Sequence, residues 1–143
     1  MNFWELLKFG KYYEVETLKH IKYDSFEFSI GAFKWWDIKT IKDDLTTFYE
    51  VKTELNCFKY GNMLFEFNRQ GKPSGIASTT ADYWVHYAII DKALNKYELR
   101  IMPVEDIRKM ITDKLYTKIV LANKCQCYIF KMSLFDKYKL IIE

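Results

Sequence analysis

After one helical stretch near its start, the chain becomes a succession of short apolar runs separated by polar turns, and that order restricts it to an α/β fold. Residues 3–22 place Phe3, Leu6, Leu7, Tyr13, Val15, Leu18 and Ile21 near a helical period, with Lys and Glu between them. Gly10 interrupts this pattern at a cost of roughly 1 kcal/mol relative to Ala, so a bend or a close neighbour is expected there. Residues 26–41 turn strand-like through Phe33, Trp35, Trp36, Ile38 and Ile41. Lys42-Asp43-Asp44-Leu45 reads as a turn, followed by strands at 47–52 and 63–68. The three strands predict an antiparallel meander. Gly71-Lys72-Pro73-Ser74-Gly75 is a tight loop, and Ser78-Thr79-Thr80 predicts a helical turn over 80–87. Strands at 87–90 and 97–101 follow, then a helix from Val104 to Asp113 opened by Pro103, a strand at 126–132 and a helical turn at 133–138.

Eleven Tyr, eleven Phe and four Trp among 143 residues exclude a disordered chain, and five Gly with two Pro leave no room for linkers. One domain spanning 1–143 is expected. A net charge of +3 permits contact with nucleic acid without requiring it. Arg occurs only at 69, 100 and 108, so the Lys-rich surface suits sequence-independent phosphate contact better than base readout. Cys57, Cys125 and Cys127 have no Cys/His pair beside them to complete a zinc site, and read as packed thiols in a reducing compartment. No signal peptide or membrane-spanning run is visible, which predicts a cytoplasmic protein.

The residues that carry chemistry are Asp37, Glu50 and Lys52. Alternate side chains of a strand share a face, so Glu50 and Lys52 project together with Val51 behind them. Pairing of the strand that holds Asp37 with this one sets the two carboxylates side by side. Two adjacent carboxylates repel, and a hard divalent cation such as Mg²⁺ relieves the repulsion. Such an ion activates water for attack on a phosphodiester, with Lys52 orienting that water or offsetting the developing charge. Glu14 reaches the same place from the first helix. Asp43 and Asp44 compete with Asp37, and Glu16 competes with Glu14. His86, flanked by Tyr83, Trp84 and Tyr87, reads as a packed histidine rather than a general base. Of the pair Trp35-Trp36, alternation sends at least one ring into the core.

The stretches Gly10-Lys11-Tyr12-Tyr13-Glu14, Trp36-Asp37-Ile38 and Tyr49-Glu50-Val51-Lys52, followed by Gly61–Phe67, Gly71–Ile76 and Thr79–Trp84, resemble the PD-(D/E)XK nuclease superfamily, in particular its small phage and viral members. The resemblance covers residues 10–87, and departs from the pattern in having no Pro before Asp37. It implies a restriction-endonuclease-like αβββαβ core, with a mixed central sheet flanked by helices. It also implies Mg²⁺-dependent hydrolysis of DNA, with Mn²⁺ as a substitute, including structure-selective or junction-resolving cleavage by a homodimer. Asp37, Glu50 and the Val51 backbone carbonyl would then hold the metal, with Glu14 acting through water. Lys52 would be the catalytic lysine, Lys72, Ser74 and Gly75 would contact DNA, and Glu66 would support the site. The alternatives are a nucleic-acid-binding module that has lost catalysis on the same fold, and a nuclease acting on RNA.

Overall fold

The computed structural model describes residues 3–31 and 35–142, and the side chains of Phe3, Trp4, Leu6 and Leu7 lie outside that description, as does Phe33. Helix α1 (Phe3–Thr17) is followed by strands β1 (Ser25–Phe28), β2 (Ile38–Lys42) and β3 (Leu45–Glu54), then by a one-turn helix α2 (Cys57–Tyr60). Strands β4 (Asn62–Arg69) and β5 (Lys72–Pro73) lead through a short turn at Gly75–Ala77 into β6 (Tyr83–Asp91) and β7 (Lys96–Pro103). Helix α3 (Val104–Thr112), strands β8 (Lys118–Ala122) and β9 (Cys125–Lys131), and a 3-10 segment at Met132–Tyr138 complete the described chain.

The strands form two sheets. The first has the order β1-β2-β3-β6-β7 and is mixed, because β3 and β6 run parallel while the other pairs are antiparallel. The second, β5-β4-β9-β8, is antiparallel throughout. Alternation along the central strands divides the core in two. Tyr49, Val85, Tyr87 and Ile89 point toward α1, where they meet Tyr13 with Ile38 and Leu99. Trp84 and Ala88 point the other way, into a cluster with Met63 and Phe65 of β4, Phe130 of β9 and Ile107 of α3. The first sheet therefore has a helix on one face, and the second sheet with α3 on the other.

The expected α/β class and mixed sheet are present, but the flanking layers are not two sets of helices. Four expectations are corrected. Residues 26–41 hold two strands rather than one. Strand β4 leaves the meander and pairs with β9, because its Met63 and Phe65 are buried between the sheets. Residues 80–87 begin strand β6 rather than a helical turn: the Asp82 N–H donates to the Phe48 carbonyl and the Asp82 carboxylate accepts from the Phe48 N–H, both at 2.8 Å, which locks the chain extended beside β3. Every residue from Trp84 to Ile89 is buried, as a central strand covered on both faces requires. Helix α1 ends at Thr17, short of the expected residue 22, where the Thr17 hydroxyl turns back to the Tyr13 carbonyl and bonds the Tyr87 hydroxyl.

Two glycines differ in what they allow. A Cβ on Gly10 would meet nothing within 4 Å, so no close packing accounts for it. Gly75 has φ +52°, and a Cβ there would run into the Glu66 carbonyl oxygen. Gly10→Ala should stabilise the protein by about 0.5–1 kcal/mol. Gly75→Ala should destabilise it by about 1–3 kcal/mol, or more if β4 must shift. Urea melts of the two variants check both signs. A neutral Gly75→Ala would show that the β4 contact yields without cost.

Candidate functional site

The hairpin between β2 and β3 brings the site together. Asp43 and Asp44 form its tip with φ of 50° and 63°, the conformation a two-residue hairpin turn requires. They lie six and seven positions before Glu50, roughly 20 Å or more at the rise of a strand, so they are not candidates for the same cluster. At the other end Ile38 pairs with Tyr49, and the Asp37 N–H donates to the Tyr49 carbonyl at 2.8 Å. One further step of this register sets Asp37 against Glu50. Ile38 and Tyr49 both face α1, so Asp37 and Glu50 share the opposite face, with Lys52 two residues on.

Both carboxylates are buried, Asp37 to 4% and Glu50 to 8% exposure. Strand β2 begins at Ile38, so the edge of β3 next to it loses its ladder partner at Val51. The Asp37 carboxylate replaces that partner, accepting from the Val51 N–H at 2.7 Å. The Lys52 ammonium stands 3.2 Å from Glu50 Oε1 and 5.6 Å from the Trp84 ring centre. Glu14, also buried, lies on α1 on the far face of the sheet. Its partner Lys11, at 3.8 Å, sits over the Phe28 ring of β1, so Glu14 faces the β1–β2 side that Asp37 also borders. Glu16 points elsewhere, accepting from the Tyr97 hydroxyl at 3.1 Å and pairing with Lys19. Glu14, Asp37 and Glu50 do not bring three ligand atoms within 4.8 Å of one another. Among the described residues that condition is met by Glu54, Cys57 and His86.

Glu50 and Lys52 open into a cavity of about 660 Å³. Its other lining residues are Trp35, Ser78 and Thr79, and Arg69 to Gly75 without Gly71. The loop expected at residues 71–75 is thus both a hairpin turn and a wall of the site: Gln70 and Gly71 form the tip with positive φ, and Arg69 pairs with Lys72. Arg108 of α3 fastens the following turn by donating to the carbonyls of Ile76 and Thr79, the latter at 2.7 Å. Arg69 and Gln70 were legible only as the residues before Gly71. A Gln-Gly pair between two strand-like runs is the signal that places them opposite Lys72.

Glu66 stands behind this wall on β4, bonded to Arg69 at 3.0 Å. Burial raises its carboxyl, but hydrogen bonds from Ser74, Cys125 and Arg69 outweigh burial and hold it below the usual carboxylate range. His86 is fully buried and bonded through Nε2 to Glu54 at 2.8 Å, a packed histidine as expected. Cys57 lies 4.0 Å from the same nitrogen, and burial followed by the Glu54 charge pushes its thiol far up. This trio mixes soft and hard donors and is already joined by a hydrogen bond, so it suits Mg²⁺ poorly. Burial, followed by Glu66, raises the Cys127 thiol to about 11; the three cysteines are free and buried, as packed thiols should be. Among the described residues no helix is long and apolar enough to cross a membrane.

Comparison with family models, with curated proteins and with solved structures finds no match to this chain.

Because the folded-state pKa of Glu66 is depressed, its contribution to stability is complete above the unfolded value near 4.3 and fades as pH falls through the lower folded value. The stability difference between wild type and Glu66→Gln should therefore be flat above about pH 5 and shrink toward pH 3. Denaturant midpoints measured across that range check it, and a difference that stays constant to pH 3 would contradict the shift.

Proposed function

We propose that this chain is a metal-dependent nuclease of the PD-(D/E)XK type that hydrolyses DNA phosphodiester bonds. The observation that carries the reading is that Asp37 bonds β3 at Tyr49 and Val51, on either side of Glu50, and that Glu50 and Lys52 line one cavity with Arg69 and Lys72. The order of the first sheet supports it. A meander of β1, β2 and β3 followed by a parallel fourth strand is the arrangement that an αβββαβ core has. The crossover departs from that pattern, since only the four-residue α2 and the β4–β5 hairpin stand where a longer helix would.

The donor set fits a hard cation: two buried carboxylates and the Val51 carbonyl would hold Mg²⁺, or Mn²⁺ in its place, while Glu14, on the α1 face of the sheet, is left outside the set. Such an ion polarises the phosphodiester and makes a water nucleophilic near neutral pH. The chain's own residues do the rest. Asp37, tied to the Val51 N–H, keeps its carboxylate fixed against β3. The Lys52 ammonium, anchored by Glu50, orients the attacking water and offsets negative charge that builds on the phosphate. Lys72, Ser74 and the Gly75 backbone line the wall where the phosphate chain would lie, and Glu66 braces that wall through Arg69. Strand-specific cleavage of branched DNA would call for a homodimer, with one site per strand.

Labelled single-stranded, duplex, flap and four-way-junction DNAs with Mg²⁺ or Mn²⁺ should be cleaved by the wild type and not in EDTA. Glu50→Ala and Lys52→Ala should each reduce the rate by about 10²-fold or more while leaving the thermal midpoint within a few degrees. Unchanged cleavage by Lys52→Ala removes its assigned role. Binding of DNA without cleavage under either metal would favour the inactive binding module.

A further inference from the structure

Trp35 is 59% exposed, yet its backbone is held firmly: its carbonyl accepts from the Thr79 hydroxyl at 2.8 Å and from the Thr80 N–H at 3.1 Å. Its neighbour Trp36 turns inward against Phe48, with ring centres 5.2 Å apart, and serves the core. Trp35 itself makes no ring contact with any described residue and lines the cavity that holds Glu50 and Lys52. A large indole left in water beside a cationic wall is an unsatisfied apolar surface, because water gains if a flat apolar partner covers it. The same cavity is lined by Lys72, Gln70 and Arg69, the last bonded to Glu66.

A flat ring and several cations lining one cavity of about 660 Å³ match a nucleotide: a base for the indole and phosphates for the lysines. Inside a continuous duplex each base is covered on both faces by its neighbours, so it cannot offer a face to an indole at this depth. We propose that the cavity binds an unpaired nucleotide, its base stacked on Trp35 and its phosphates against Lys72 and Lys52, so that the substrate is DNA with a single-stranded segment at the reacting phosphate. This rests on the nuclease reading of the same cavity, but its test does not. Trp35 is a positioning residue, since it touches the base and not the reacting atoms.

Fluorescence anisotropy in EDTA, with a labelled oligo-dT and a labelled duplex minicircle sealed in both strands, separates the two readings. The wild type should bind the single strand more tightly than the sealed duplex. Trp35→Ala should weaken single-strand binding about tenfold or more, Trp35→Phe should retain most of it, and both should leave the sealed duplex unaffected. Circular dichroism melts of both variants should match wild type, since the side chain is at the surface. Equal binding of oligo-dT by wild type and Trp35→Ala overturns the proposal, as does an equal loss on both DNAs or no single-strand binding by the wild type. Trp35-dependent binding with no cleavage under any metal would sink the nuclease reading alone. Cleavage with binding indifferent to Trp35 would sink this proposal alone.

Discussion

The parallel pairing of β3 with β6 is the constraint from which the rest of the architecture follows. Two parallel strands cannot be joined by a tight turn, so the chain between Glu54 and Tyr83 must cross one face of the sheet to return to its starting edge. That crossing carries α2, β4, β5 and the Gly75–Ala77 turn. It does not cover the face with a long helix but lays down the first half of a second sheet, which β9 and β8 complete from the far end of the chain. The same crossing carries Lys72, Ser74 and Gly75 over Glu50 and Lys52. The cavity is therefore a product of topology, and the close approach of Gly75 to the Glu66 carbonyl is where the crossing is drawn tightest.

The polar groups on that face are arranged so that strand pairing ends where chemistry would begin. Here Asp37 gains the Val51 N–H, a backbone donor that would otherwise be orphaned where β2 stops, and Glu50 gains the Lys52 ammonium. Asp82 plays the same part on the other edge of β3 toward Phe48. A strand whose two edges are each closed by an aspartate at the start of a neighbouring strand is held in register at both sides, and Glu50 lies between those two clamps.

Much of this was legible in the residues. The alternation of Tyr49, Glu50, Val51 and Lys52 placed the acid and the lysine on one face, and the Asp43-Asp44 turn fixed the register that brings Asp37 to Glu50. The hairpin of β6 and β7, helix α3 and the 3-10 segment near the end also read directly from spacing. What could not be read was sheet membership. Strand β4 carries apolar residues in alternation like any meander strand, and nothing local reveals that its partner is β9. The start of β6 was mistaken for a helical turn because Thr79 and Thr80 are good caps, whereas here the Thr79 hydroxyl serves the Trp35 carbonyl and the Ala81 N–H. Strand β8 went unseen because it is an edge strand, with Ile119 and Leu121 exposed and no buried face to impose a pattern. The contact of Glu16 with Tyr97 was equally hidden, since the two are 81 residues apart.

The charge of the cavity explains why a chain of net charge +3 need not advertise an affinity for polyanions. Lys52 and Arg69 are each tied to a carboxylate, Glu50 and Glu66, so the wall is cationic but locally balanced. A phosphate entering there gains less from long-range attraction, which salt screens over about 10 Å, than from short contacts with groups already held in place. Glu66 keeps its charge because Ser74, Cys125 and Arg69 hold it, and in turn it fixes the guanidinium that faces the cavity. The arrangement favours a ligand that fits between fixed groups over one that is merely negative. On the proposed reading the discriminating contacts would be the uncharged ones, the Gly75 backbone that lets the chain come close and the Trp35 ring that would answer a base.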